Sequence, residues 1–437
     1  MDDADEVLGR AWHDPFSWEF LTELTEIENR MGGHPGERRA AEITGEAFSE
    51  AGVEDVEIEG FSVQRWERGS AALAVTEPIE RSFETIALPY SPPGEVSAPL
   101  VDVGYGTPDE IEERDVSGAV VVASTDTPPG RGRFAHRMEK FGHAAAAGAE
   151  AFVFANHVPG QLPPTGSLRF DAEAAMPGVG VSAETGAWLT DYAKRGARVR
   201  LSVDAVTERG ESVNVHGTLG SGEEEVVLLG HLDAHDISEG ALDNGCGITV
   251  VAAAARLLAE LDLGCRVRVA GVGSEEIGLI GAEALAEELD LEAVKTVVNV
   301  DGAGRFRDLK TYTHGSEAVE ELVKATCDEW DQPVGFERDP HPYSDHWPFL
   351  NRGVPALQLH SESGERGRGW GHTHADTRDK VDPRNLREHA ILTALLVQRL
   401  THSEVPRIEE ADLREGMEAA DLEPGMRAAE IWPESWE

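Results

Sequence analysis

From about residue 211 onward, short apolar runs at 226–230, 266–272, 296–300 and 354–359 alternate with helical stripes. One stripe carries Ile248, Val251, Ala255 and Leu258 on a single face. Strands alternating with helices predict an α/β fold, a doubly wound and mainly parallel sheet covered on both faces. A sheet of that kind puts its site beyond the carboxyl ends of its strands. His231 stands at the first such end, Glu275 and Glu276 at the second and Asp301 at the third, with His372 in the loop after the fourth. Singly these are ordinary. His231-Leu232-Asp233 reads as a surface pair, Glu275-Glu276 as a solvated face, Asp301-Gly302 as a turn and His372-Thr373-His374 as an exposed loop. Their joint occurrence at four strand ends points to a metal site.

Charge narrows the setting. The 437 residues include 82 acidic and 38 basic ones, a formal net charge of −44, which disfavours nucleic acid as a partner. Six lysines (Lys140, Lys194, Lys295, Lys310, Lys324, Lys380) leave 32 of the basic residues as arginine. Self-repulsion at this charge would strain a compact chain in dilute salt, whereas molar salt shrinks the Debye length to about 3 Å. The expectation is a protein of a salt-filled cytoplasm, similar to those of halophilic archaea; an acidic face for a basic partner is the competing reading. No run of 18 apolar residues is present and the first residues lack a basic and then apolar leader pattern, so neither a membrane span nor a secretory signal is expected. Cys246, Cys265 and Cys327 lie far apart, which argues for reduced thiols in a cytoplasmic protein and against a thiolate zinc site.

The organisation is expected to be discontinuous. Phe20, Leu24, Ile27 and Met31 form one helical stripe, and Ala40, Ile43, Ala47 and Ala51 a second. Between residues 69 and 206 the texture changes to short Val/Ala runs broken by Pro and Gly, with strands at 119–123 and 151–155 flanking a helix at 134–148. This reads as an inserted, smaller, β-rich domain without chemistry of its own, its His136, His143 and His157 being surface or packing residues. The main domain is then 1–68 with 207–403, and 404–437 is an acidic tail. Trp432 and Trp436 would dock that tail on the body or on a second subunit, as in a homodimer; a solvated tail is the alternative.

The spellings HLD, the Asp of LDNGCG ten residues on, EEIGLIGAE, NVDG, SDHWPF and HTHADT occur in register. In this the chain resembles the M28 family of zinc-dependent exopeptidases, over the N-terminal helices and from about residue 211 to 402. The middle segment resembles the protease-associated (PA) domain, and GHLDAHDISEGALDNG with HTHADT resembles the plasma glutamate carboxypeptidase branch. The resemblance implies two divalent ions, zinc first with Co2+ or Mn2+ also suited, sharing Asp243. His231 and Asp301 would complete one ion's protein ligands, and Glu276 and His372 the other's. Asp233 would accept from the His231 imidazole, Glu275 would be the general base, and the Asp243–Asn244 peptide would be cis. Two ions carry +4 against −3 from three carboxylates, and the remaining +1 would lower the pKa of a water between them.

The implied activity is hydrolysis of a terminal peptide bond of a peptide substrate. Aminopeptidase is favoured narrowly over carboxypeptidase or dipeptidase. A carboxypeptidase would want an arginine near the site, for which Arg305, Arg352, Arg366 and Arg368 are available. Gly371 stands where many aminopeptidases of the family have Tyr, and Trp370 or Tyr343 could border the cleft instead. A non-catalytic binding protein and a single-zinc acyltransferase resembling glutaminyl cyclases are the rival classes. Asp236 and Ser344-Asp345-His346 are read as loop residues near the site, and His360, His374 and Cys246 as packing or surface residues.

Overall fold

A computed structural model describes residues 3–362 and 369–436. Its contacts divide the chain into two units. One holds residues 1–63, 211–371 and 376–416, the other 64–210, 372–375 and 417–437. The chain leaves the first unit within the strand Glu54–Glu77 and re-enters it within Arg198–Leu219. The change of unit thus falls at 63/64 and 210/211, a few residues outside the limits of 69 and 206 expected from composition.

Among the described residues, the main sheet path of the first unit is β1 (Arg198–Leu219), β2 (Glu225–His231), β3 (Arg266–Val272), β4 (Val294–Val300), β5 (Leu309–Tyr312), β6 (Val334–Glu337) and β7 (Ala356–Ser361), with the start of Glu54–Glu77 pairing beside β1. Their order is β6-β5-β7-β4-β2-β3-β1. β7, β4, β2 and β3 run parallel, β1 and β5 pair antiparallel at either side of them, and β6 is parallel to β5. All seven residues of β2 are buried, the burial pattern of a strand covered on both faces.

The helix Cys246–Leu258 departs from the single apolar face read in the sequence. Every residue but Arg256 is buried, because it lies between β2 and the helices Phe16–Thr25, Pro35–Glu50 and Pro383–Thr401. The 18 residues Ala241–Leu258 are apolar enough to cross a membrane, yet 89% of them are buried within the protein, as core helices are. The first predicted stripe also ends early. Its helix stops at Thr25, and Asn29 takes a left-handed φ of 46°, so Ile27 and Met31 pack from a turn instead.

In the second unit, Gly94–Asp102, Val120–Ser124, Ala151–Ala155 and Gly178–Val181 form a parallel sheet, linked through the helices Pro108–Arg114 and Arg137–Ala146. Phe141, Phe152, Phe154 and Val121 are among its core residues. Residues 417–436 of the C-terminal tail belong here and are folded, while 404–416 belong to the first unit. The tail helix Glu423–Ala428 packs on Arg137–Ala146, where a Cβ at Gly142 would collide with the carbonyl oxygen of Ala428. Glu139, 1% exposed, accepts from Arg131 and Arg133, and Trp432 and Trp436 are buried against each other at 5.1 Å.

Leu258 has no solvent exposure. Leu258→Ala should cost about 2–5 kcal/mol, seen as a lower urea midpoint by circular dichroism in molar KCl; an unmoved midpoint would contradict the packing described.

Candidate metal centre

Three predicted ligands meet at the carboxyl edge of the sheet. His231 is the last residue of β2 and Asp301 follows β4, while Asp243 comes from the loop entering the buried helix. One ligand atom of each lies within 4.8 Å of the others, and all three side chains are buried. His231 Nε2 is 3.5 Å from Asp243 Oδ1 and has no hydrogen-bond partner among the described residues. An imidazole nitrogen and two carboxylates, buried and converging, are a donor set that suits a divalent cation such as zinc.

The supports are mostly backbone groups and carboxylates. The Asp243–Asn244 peptide is cis, as the resemblance implies. Asp376 accepts from the N–H of Leu242 at 2.6 Å and of Asp243 at 3.0 Å, pinning the backbone at Asp243. The Asn244 amide donates to Val300 O at 2.8 Å and accepts from Gly247 and Gly302, which ties this loop to the end of β4. Asp301 Oδ2 accepts from Ser344 Oγ at 2.8 Å and Gln358 Nε2 at 3.1 Å; its carbonyl accepts from His360 Nδ1 at 2.8 Å.

Asp233 does not act quite as expected. His231 Nδ1–H donates to the Asp233 carbonyl oxygen at 3.1 Å, while the carboxylate oxygen stands at 3.5 Å. The carboxylate instead accepts from the N–H of Glu275 at 3.0 Å and of Glu276 at 3.1 Å. One side chain therefore holds both glutamates in place, and the residue still fixes the His231 tautomer through its backbone. Ser274, just before them, has a φ of 58° and is held by Glu37, which accepts from its N–H at 2.8 Å. Burial, with the nearby Asp233, pushes the Glu37 carboxyl up to about 8.

Glu276 Oε2 is 2.9 Å from His235 Nε2, and both side chains are buried. Glu275 is 9% exposed. Burial raises its pKa well above the usual carboxylate value; His231 opposes this, while Glu276, Asp345 and Asp301 add to it. His231 is the reverse case. Burial disfavours its charged form, but Glu275, Asp233 and Asp243 outweigh that and hold the imidazole well above its ordinary pKa.

The fifth predicted ligand, His372, belongs by its contacts to the second unit. There Thr165 N–H donates to its carbonyl at 2.8 Å, and its Nδ1 lies 3.3 Å from the Thr165 carbonyl. A carbonyl only accepts, so Nδ1 carries the proton and Nε2 keeps a lone pair. Its backbone is left-handed, with φ 57°.

Sequence reading missed several residues. Arg305, weighed only as a substrate-binding cation, is 4% exposed, with one terminal nitrogen 3.0 Å from Asp243 Oδ1 and 3.1 Å from Asp301 Oδ1. Asp345 is fully buried and neither of its oxygens has a hydrogen-bond partner among the described residues. Burial sets its pKa well above normal; His231 opposes this, and Asp233, Asp301 and Glu276 add to it. His235 and Asp376 sit inside spellings already noted, HLDAHD and HTHADT, so only their burial was invisible. Trp370 packs against the cluster of Leu21, Leu242 and Leu386, and Tyr343 lies edge-on to His341. Cys246 is a packing residue, and His374 is exposed. Arg366 and Arg368 lie outside the described residues.

A separate group of Glu57, Glu59 and His216 has its donors within 4.8 Å. There Arg268 donates to His216 Nδ1, so Nε2–H donates to Glu59 at 3.2 Å and offers a metal no lone pair.

A parallel sheet with histidines and carboxylates converging at its carboxyl edge defines a metal-dependent hydrolase. Residues 214–397 match peptidase family M28 and residues 96–189 match the PA domain. Residues 214–397 thus form a peptidase domain of the M28 type, which marks a metallopeptidase, and residues 96–189 a PA domain. It is 23% identical over 389 residues to carboxypeptidase Q of Mus musculus, covering 84% of this chain and 81% of that one. It is 28% identical over 354 residues to leucine aminopeptidase 2 of Trichophyton equinum, covering 75% and 68%. A solved zinc aminopeptidase from Bacillus subtilis shares the fold, with a TM-score of 0.69, 23% identity and coverage of 87% of this chain and 93% of that one.

A metal entering at His231 must displace the proton held there by Glu275, Asp233 and Asp243. Affinity should therefore fall as pH drops through and below the raised His231 pKa, with protons released on binding. Calorimetry in buffers of different ionisation enthalpy reads that release; proton-neutral uptake at pH 7 would contradict it.

Proposed function

We propose that this chain is an exopeptidase that hydrolyses the terminal peptide bond of peptides with two divalent cations, zinc first, and that it acts as an aminopeptidase. The observation that carries this is Asp233 holding a ligand glutamate and a free one side by side, 3.1 and 3.0 Å from its carboxylate, next to the His231–Asp243–Asp301 group. His231, Asp243 and Asp301 would hold one ion, and Asp243, Glu276 and His372 the other. Bound there, the two cations would supply Lewis-acid activation of water and of the substrate carbonyl.

The protein's own part is proton transfer and orientation. Glu275 takes the proton of the attacking water and returns it to the leaving amine, a contribution of about 10²–10⁴-fold. Its burial and the neighbouring acids favour holding that proton between the two transfers. Arg305, placed against Asp243 and Asp301, offsets the repulsion of the two ligand carboxylates.

Carboxypeptidase action is the second reading, favoured by the mouse relative's name. Against it stands the disposition of the two candidate arginines among the described residues. Arg305 is engaged with Asp243 and Asp301, and Arg352 with Glu283 and the Pro348 carbonyl. The net charge of −44 and the arginine-for-lysine bias support activity in molar salt, in a halophile's cytoplasm.

Dipeptides, free or blocked at either end, assayed in molar KCl with and without chelator, decide between these readings. Chelator-sensitive cleavage that dies with the amino block is the expected result; loss with the carboxyl block alone would transfer the assignment to a carboxypeptidase. Glu275→Gln should keep both metals and lose about 10²–10⁴-fold in turnover; metal loss instead would mean that the two glutamates have exchanged roles.

A further inference from the structure

We infer that His235 is an additional protein ligand on the Glu276 side of the centre, so that the segment leaving β2 serves both metal positions. The inference rests on the dinuclear reading above. His231, Asp233 and His235 are alternate residues of that segment, and the intervening Leu232 and Ala234 are buried apolar residues. All three polar side chains are buried and turn to the site: His231 to Asp243, Asp233 to the Glu275 and Glu276 N–H groups, His235 to Glu276.

The spacing is that of two donors on one ion. With bonds of about 2.0–2.1 Å to nitrogen and oxygen, ligands at right-angled to tetrahedral separations stand roughly 2.9–3.4 Å apart. His235 Nε2 and Glu276 Oε2 are 2.9 Å apart. In the metal-free protein the two atoms face each other at ion-pair distance. A cation on Glu276 repels an imidazolium at this distance, so the imidazole must be neutral, and the nitrogen facing the carboxylate oxygen then offers its lone pair to the same ion. A neutral donor also completes coordination without spending the residual positive charge left by three carboxylates. The two positions become chemically unlike, with one imidazole, Asp301 and the shared Asp243 on one side and a second and third imidazole, Glu276 and the shared Asp243 on the other.

The test is zinc stoichiometry and affinity by competition with a chelator, together with the imidazole count from X-ray absorption of the zinc-loaded protein in molar KCl. The wild type should hold two zinc ions and three imidazoles between them. His235→Ala should weaken one ion by ~10-fold or more, leave the other unchanged and lower the count to two. His235→Gln keeps an N–H that can donate to Glu276. It should resemble His235→Ala if His235 is a ligand. Wild-type affinity in His235→Gln with only two imidazoles in the wild type would overturn the inference while leaving the dinuclear reading standing. A wild type that takes up no zinc would overturn both.

Discussion

The structure turns on the carboxylate of Asp233, which is fully buried and accepts from two successive backbone N–H groups. Those bonds place Glu275 and Glu276 beyond β3, against His231 at the end of β2, and they convert two adjacent strand ends into one site. A buried carboxylate lacking such donors would be costly, so the clamp and the centre stabilise each other. The turn just before the two glutamates is held in a similar way, with Ser274 in a left-handed conformation donating its N–H to Glu37, another buried acid.

A second constraint is charge. Asp233, Asp243, Asp301, Glu275, Glu276 and Asp345 are all buried at this edge, and Arg30 and Arg305 are the buried guanidinium groups nearest to them. Burial raises the pKa of Glu275 and Asp345; His231 opposes this, and the neighbouring acids add to it. Such a collection is a poor choice for stability alone. It suits a fold that closes around divalent cations. The same logic makes Asp376 a backbone anchor; it spends both oxygens on N–H groups and is pushed up to about 7 by burial and by Asp243.

Much of this was legible before folding. Each strand end carried its metal-type residue in chain order, because a parallel βαβ sheet returns every strand to the same edge and so converts order in sequence into proximity in space. The helices read less well. The stripe through Ile248, Val251, Ala255 and Leu258 implied one buried face, and the structure buries nearly the whole helix, since periodicity reports the difference between faces and not how many neighbours pack on each. The tail is similar. Trp432 and Trp436 marked it as able to dock, but only the close approach at Gly142 shows where its helix lies.

The sequence by itself determined the fold class and which metal-type residues stand at the strand ends, because strand alternation and side-chain chemistry are local properties. Tertiary structure alone decided what each polar residue does. Asp233 holds two glutamates by their backbones, Arg305 sits between the carboxylates of Asp243 and Asp301, and His235 faces Glu276. It also gave His372 its partner in Thr165, far away in the chain. Hydrogen bonding and burial are set by which segments converge, and convergence is a property of the packed chain.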